Sequence, residues 1–378
     1  MNDTVKFHSL EFIIYPATIR TEWVHALFRD KNGVISLVEL MKTGSRGDAI
    51  KHLVEGINKI RGKTVNREDN IPDLLGLTDE KIQSELGLAC AVSALRTATT
   101  QFQSEYKDKS LTEELGGESS ESIPLYANIN RSLLVNRSPG AFAHAAELAV
   151  RSGFSFIKCA PFDEVAINDS KADKLRCAKT GIQRVVAIKR TVGKDITVFV
   201  DCHQRFDEQT ALIVFEKLAE VGIGWFEEPL PEGNNQAMAR ILKAISCPLV
   251  GGECRYGKSK ILELISSRAC DIVMPDIKFC GGVTEARKVG QSIANTGGKY
   301  SLHCPSGPVS LLASAHVTAA VKGAYLLEHA VNEISWRADI LSPREQIEKG
   351  KLWFPGGKGL GAILNASMLK KHGRIWIP

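Results

Sequence analysis

The sequence predicts an α/β chain in which a parallel βα barrel follows a smaller α+β unit. Two patterns carry this. From about residue 123 onward, eight short apolar runs alternate with amphipathic, helix-like stretches, as expected for strands each covered by a helix. Before residue 123 the order is three strands and then helices. At 378 residues the chain exceeds a single ordinary core, and a barrel plus a smaller domain accounts for the excess.

The first unit begins with strand-like alternation over residues 5 to 41, in VKFHSLEFII, WVHALFRD and GVISLVEL, and Asp30-Lys31-Asn32-Gly33 supplies a hairpin turn. A helical region of roughly 46 to 105 follows, including the apolar, Ala-rich LGLACAVSALRTAT. The eight runs are then IPLYANI, FSFIKCA, ITVFVDCH, GWFEEP, PLVGGE, DIVMPDIK, YSLHCP and AYLLEH, separated by segments such as SPGAFAHAAELAVRSG and VTEARKVGQSIANTG. An open doubly wound sheet would normally carry a Gly-rich phosphate turn after an early strand, and neither GxGxxG after a strand nor a Walker lysine is present. The Gly-rich tail does not continue the barrel pattern. The expected division is a cap of residues 1–122 completed by the tail 350–378, with the barrel spanning 123–349.

Net charge is +5, but Lys and Arg are scattered among the acids with no basic block, so no nucleic-acid partner is expected. The start, MNDTVKFHSLEF, lacks the features of a signal peptide, and no stretch is apolar for 18 residues, so a soluble, cytoplasmic protein with no membrane partner is expected. The nine cysteines (90, 159, 177, 202, 247, 254, 270, 280, 304) show no CxxC or Cys/His spacing and read as reduced core thiols.

Chemistry in a βα barrel sits at the C-terminal strand ends. The third, fourth and fifth runs each end in an acid, Asp201, Glu227 and Glu253, and the two intervals are both 26 residues, about one strand plus one helix. Any one such acid could cap the next helix or pair with a Lys. Three in register point into one mouth, where their repulsion calls for a cation, and all-oxygen ligands suit a hard ion, preferably Mg2+. Glu228 should point the opposite way from Glu227 by strand alternation and is expected to be a supporting or helix-side group.

The sixth and seventh runs bring Asp276 and His303 to corresponding depths. A buried carboxylate beside an imidazole fixes its tautomer and raises its basicity, which makes His303 the candidate base. His203 follows Asp201 by two residues, so alternation puts both on the inward face; it could protonate a departing hydroxyl or serve only as a hydrogen-bonding support. Lys158 ends the second run and could hold the substrate carboxylate or the enolate oxygen, or bridge to a ligand acid. Glu328 ends the eighth: with a raised pKa it could donate a hydrogen bond to the developing enolate oxygen, and otherwise it is a structural acid facing Lys158 or a helix amide. Lys278, inward with Asp276, is expected to be a charge partner for one of the acids.

Taken together, the three-acid set, WFEEPLP, MPDIKFCGG, SLHCPSG and LLEHA resemble the enolase superfamily, mandelate racemase branch, over nearly the whole chain. The resemblance implies a (β/α)7β-type TIM barrel with an α+β capping domain whose loops close over the mouth and select the substrate. The corresponding loop, near IYPATIRTEW, makes Tyr15 and Arg20 candidates for contacting the distal end of a substrate. It further implies removal of the proton α to a carboxylate, with magnesium stabilising the enediolate.

Two departures narrow the expectation. The branch often has Lys-x-Lys at the end of the second strand, where this chain has Lys158-Cys159-Ala160; and Asp201-Cys202-His203 is similar to the Asp-x-His of galactonate and mannonate dehydratases. The implied activity is a sugar-acid dehydratase, a lyase: His303 polarised by Asp276 abstracts at C2, and His203 assists loss of the 3-hydroxyl to give a 2-keto-3-deoxy acid. The alternative is an epimerase, racemase or cycloisomerase working through the same enediolate with Lys158 opposite His303. The expected partners are a small-molecule carboxylate, a sugar acid, and further copies of the chain in a homo-oligomer.

Overall fold

The computed structural model describes residues 4–42 and 48–378. The expected start of the first helical region, at 46–47, lies outside them. Three strands open the chain: β1 (Phe7–Pro16), β2 (Glu22–Asp30) and β3 (Ile35–Leu40). At the β2–β3 turn the Asp30 carboxylate accepts the amides of Asn32 and Val34, and Gly33 takes the left-handed φ of +82° that the turn requires. Helices α1 (Ala49–Ile60), α2 (Ile71–Leu75), α3 (Asp79–Gln83), α4 (Leu86–Tyr106) and α5 (Leu111–Glu114) follow. The apolar α4 is buried on nearly all sides because it lies between the cap sheet and the barrel.

Eight parallel strands form the barrel: β4 (Ser122–Asn128), β5 (Phe156–Cys159), β6 (Thr197–Asp201), β7 (Trp225–Glu227), β8 (Leu249–Gly251), β9 (Ile272–Val273), β10 (Lys299–Tyr300) and β11 (Leu327–Ala330). They pair in sequence order from β4 to β10, β11 pairs with β4, and a single bridge from Leu302 to Leu327 joins the segment after β10 to β11. Between them lie seven helices, α6 (Pro139–Arg151), α7 (Lys171–Val192), α8 (Glu208–Val221), α9 (Asn235–Ala244), α10 (Lys258–Ser266), α11 (Gly282–Ala294) and α12 (Pro308–Ala319). No eighth α-helix covers β11 among the described residues; a single 3-10 turn, Arg337–Ile340, comes next, and then β12 (Leu341–Ser342), β13 (Gln346–Glu348) and β14 (Lys351–Trp353). This is a (β/α)7β TIM barrel with a cap.

The tail divides. Within it β14 pairs with barrel strand β4, β15 (Ile363–Leu364) pairs with β12, and after α13 (Ala366–His372) only β16 (Arg374–Trp376) joins the cap sheet, alongside β1.

Cap and barrel are joined by polar contacts at helix starts. The Ser93 hydroxyl and Thr97 hydroxyl of α4 accept the amides of Gly281 and Val283 at the start of α11. That approach explains the Gly pair in FCGG: a Cβ at Gly281 would meet Arg96 at 2.5 Å, one at Gly282 would meet Thr97 at 2.7 Å, and both have positive φ. Likewise Glu39 of β3 accepts the amides of Gly307 (2.6 Å) and Ser310 (3.0 Å) at the start of α12. All nine cysteines are free.

Candidate active site

Alternation along the barrel strands sorts their inward residues into two levels. The lower level is aromatic and aliphatic: Tyr126, Phe199, Trp225, Val250, Ile272, Met274 and Leu326 form one buried cluster, with Phe199 and Trp225 stacked 3.6 Å apart. Two residues further along the same strands stand Asn128, Asp201, Glu227, Asp276 and Glu328. An apolar floor therefore underlies a layer of acids, which strengthens every charge interaction above it.

Asp201 and Glu227 are register partners on β6 and β7. Glu253 lies two residues beyond β8 and faces the same space. Each of the three is turned onto a cation of the chain. Asp201 takes the backbone N–H of His203 on Oδ1 (2.9 Å) and the His203 ring on Oδ2 (3.1 Å). Glu227 accepts from Lys158 (2.8 Å) and from the Trp225 indole (3.0 Å). Glu253 Oε2 meets His303 Nε2 at 3.0 Å. Among the described residues, no three His, Cys, Asp or Glu side chains are set around a common point as a ready-made metal cage.

The donor chemistry nevertheless fits a hard divalent ion. Asp201, Glu227, Glu228, Glu253, Asp276 and Glu328 crowd one mouth that holds Lys158, Lys278, His203 and His303 as its cations. Burial and then the charge of Asp201 push Glu227 up to about 8, in spite of Lys158. Burial and then Glu253 push Glu228 up to about 7. Six acids thus share the mouth with four cations of the chain, and burial with mutual repulsion raises two of the carboxylates. Asp201 and Glu253 sit lower, because His203 and His303 outweigh their burial; Glu253 is held at about 2.

His303 sits between two acids: Nδ1 lies 3.0 Å from Asp276 Oδ2, opposite the Glu253 contact. Burial alone would lower its pKa, but Glu253, Glu328 and Asp276 raise it well above the ordinary histidine range. Asp276 is itself fixed by the Lys278 amide on Oδ1 (2.8 Å) and the Lys278 ammonium at 3.3 Å from Oδ2, so Lys278 is the charge partner of this acid.

His203 reaches the site by a different route from strand alternation. The strand ends at Asp201, and His203 and Gln204 have φ of +48° and +61°. Backbone bonds from Cys202 to Glu227 O and from Gln204 to Glu228 O hold this turn against the next strand end. The imidazole folds back onto Asp201, half-exposed at the mouth, with its pKa raised to about 9 chiefly by that carboxylate.

The remaining candidates take these places. Glu328 stands as the structural acid of the two expected readings: it accepts from Lys158 (2.7 Å), Asn128 (2.7 Å) and the Cys304 amide (2.8 Å), and its pKa is lowered despite burial, first by Lys158 and then by His303. Lys158 is fully buried, 2.7 to 3.5 Å from Glu328, Glu227 and Asp201, which makes it a hub for the acids. Glu228 also departs from alternation, at φ +37°; its carboxylate takes the Gln204 amide and the backbone N–H groups of Gly252 and Glu253, steadying the segment that carries Glu253. Tyr15 has no exposed surface, packing against His25 and Trp336. Arg20 is exposed on the cap loop, and the adjoining Thr21 accepts from Arg131, which also reaches Pro305 beyond β10.

Asn128 was missed by the sequence reading. It ends the first barrel strand, as the acids end theirs, and extending the strand-end rule to neutral polar residues would find it.

Among the described residues, no helix is long and apolar enough to cross a membrane. Residues 141–368 match the family described as Enolase C-terminal domain-like. Similar curated proteins include an arabinonate dehydratase of Saccharolobus solfataricus, 29% identical over 191 residues, which are 50% of this chain and 51% of that one. A D-gluconate dehydratase of Thermoproteus tenax is 25% identical over 75% of this chain and 56% of its own length. A D-galactarolactone cycloisomerase of Agrobacterium fabrum is 25% identical over 76% of this chain and 75% of its own. The chain thus spans about half the length of the first of these relatives. In fold, an enolase-superfamily member from Salmonella Typhimurium matches with a TM-score of 0.82 at 21% identity, covering 98% of this chain and all of that one. A mandelate racemase/muconate lactonizing enzyme from a Sulfitobacter species matches with a TM-score of 0.81 at 19% identity, covering 97% and 95%. With its barrel, its cap and a family match over residues 141–368, the chain belongs to the enolase superfamily.

Proposed function

We propose that the protein is a magnesium-dependent lyase that removes the C2 proton of a sugar acid and expels the 3-hydroxyl as water, giving a 2-keto-3-deoxy acid. The observation that carries this reading is the pair of histidines at the mouth: His303, held from behind by Asp276, and His203, held by Asp201. One imidazole suits proton abstraction and the other protonation of a leaving group. The dehydratases among the relatives support the same class of reaction.

Asp201, Glu227 and Glu253 are the residues that would hold magnesium. Bound there, the ion supplies charge stabilisation to a substrate carboxylate whose α-proton is being removed.

Once Glu253, the chief carboxylate raising its pKa, has turned away and the ring is neutral, His303 accepts the C2 proton at Nε2, while Asp276 keeps Nδ1 protonated and fixes the ring. That Nε2 must be free of Glu253, so the carboxylate has to turn toward its two fellow acids. His203 gives its proton to the departing hydroxyl, and Asp201 keeps the ring charged until then. Lys158 and Glu328 hold the acid layer in place and transfer no proton.

A second reading, cycloisomerisation or epimerisation, is favoured by one observation: the cycloisomerase relative is matched over 75% of its length. An epimerase needs a second proton carrier facing His303. Lys158, enclosed by three carboxylates, and Ala160 supply none.

The test is a panel of mono- and diacid sugars incubated with enzyme and Mg2+ and assayed for 2-keto product. Dehydration of at least one acid is expected. Deuterium incorporation at C2 with no keto product would move the assignment to an isomerase.

A further inference from the structure

Lys278 is a buried cation that the proposed chemistry does not use. Only 11% of its side chain is exposed, and its ammonium makes two polar contacts, one just beyond β9 and one on the segment leaving β10. One is to Asp276 Oδ2, at 3.3 Å, the same oxygen that holds His303 Nδ1 at 3.0 Å. The other is a short hydrogen bond to the Ser306 hydroxyl, three residues beyond His303 on the segment leaving β10.

Both members of the Asp276–His303 pair are therefore tied to one side chain, Asp276 directly and His303 through its own loop. The far end of that loop is fixed independently, by the Glu39 carboxylate of the cap on the Gly307 amide and by Arg337 on the Ser306 carbonyl (2.7 Å). Without Lys278, a fully buried carboxylate keeps only the Lys278-position amide and one imidazole, and the Oδ2 lone pair opposite His303 is left unfilled. The carboxylate can then rotate, and the ring that depends on it loses its single orientation.

We propose that Lys278 is a positioning residue for the base: by joining Asp276 of the β9 end to Ser306 of the β10 loop, it keeps His303 Nε2 aimed into the mouth. The inference rests on the assignment of His303 as base in the proposed function. It deepens that reading by adding a residue that touches neither substrate nor metal.

The test uses the full-length protein with Lys278→Met, which keeps the length of the stem and removes its charge, and Ser306→Ala, which cuts only the tether to the loop. Two readouts separate failure of this inference from failure of the function. The first needs no substrate: imidazole nitrogen spectra of [15N]histidine-labelled protein, with His303→Asn to assign the signal. A single His303 form bonded through Nδ1 is expected in the wild type, and a broadened or doubled signal in both variants. The second is turnover of whichever panel acid the wild type dehydrates in Mg2+. There kcat and C2 deuterium exchange are expected to fall about 10- to 100-fold in Lys278→Met, with KM within about twofold.

An unchanged His303 signal in both variants overturns the proposal, whatever the panel shows. So does a loss confined to KM, or one that merely follows a lowered melting temperature. If no panel acid is turned over by the wild type, the function fails and the spectra alone decide the role of Lys278.

Discussion

His303 Nε2 and Glu253 Oε2 lie 3.0 Å apart, so the candidate base and a candidate metal ligand hold each other across the barrel mouth. The contact joins the two halves of the proposed chemistry: the Glu253 oxygen that holds the imidazole is not open to a metal, and the imidazole cannot accept a proton on that nitrogen while the carboxylate holds it.

Replacing His303 with Asn should abolish proton abstraction while leaving metal binding in place. Turnover and C2 deuterium exchange are expected to fall together by about 10²- to 10⁴-fold. The rise in melting temperature on adding Mg2+ should persist. Exchange at the wild-type rate would remove His303 from the role.

His203→Asn should separate the two steps. C2 exchange is expected to continue while formation of the 2-keto product falls by about 10²-fold or more. Equal loss of both would mean that His203 acts before the leaving group departs.

Lys158→Met should cost stability. It leaves Asp201, Glu227 and Glu328 buried without their common cation, and breaking buried pairs of this kind costs about 3–5 kcal/mol. Urea unfolding of the metal-free protein measures the loss; a change under about 1 kcal/mol would show that the acids find other partners.

How much of this was legible in the sequence follows from how local each signal is. The eight barrel strands could be read because each is a short apolar run bounded by turns. Asp201 and Glu227 could be aligned because one βα repeat of constant length separates them, and the structure makes them register partners. Alternation failed one or two residues past the strand ends, where His203 and Glu228 take positive φ and their side chains turn by backbone geometry that no period encodes. Glu39, whose partner amides at 307 and 310 belong to another domain, left no local pattern. The tail was read as one piece since its glycines mark turns without saying which strand each segment pairs with.

Acid should loosen the seam between cap and barrel. His316 of α12 lies between Thr112 of α5 (2.7 Å) and Leu360 of the tail (3.2 Å), and burial lowers its pKa to about 4. The unfolded chain binds this proton near pH 6.5 and the folded one only near 4, so stability is full above 6.5 and falls as pH drops toward 4. The expected loss from this group is about 2 kcal/mol between pH 7 and pH 5. His329, also buried and held well below the ordinary range, adds a loss of the same sign. Urea midpoints at the two pH values, compared between the wild type and His316→Gln, check this: the variant should show the smaller drop.

The most direct test of the central claim is a crystal structure of the protein grown with Mg2+, with Mn2+ soaked in to mark the site by anomalous scattering. The expected result is one metal peak with oxygens of Asp201, Glu227 and Glu253 all at about 2.1 Å, and His303 Nε2 released from Glu253. A metal bound elsewhere, or Glu253 still turned onto His303 at saturating metal, would contradict it.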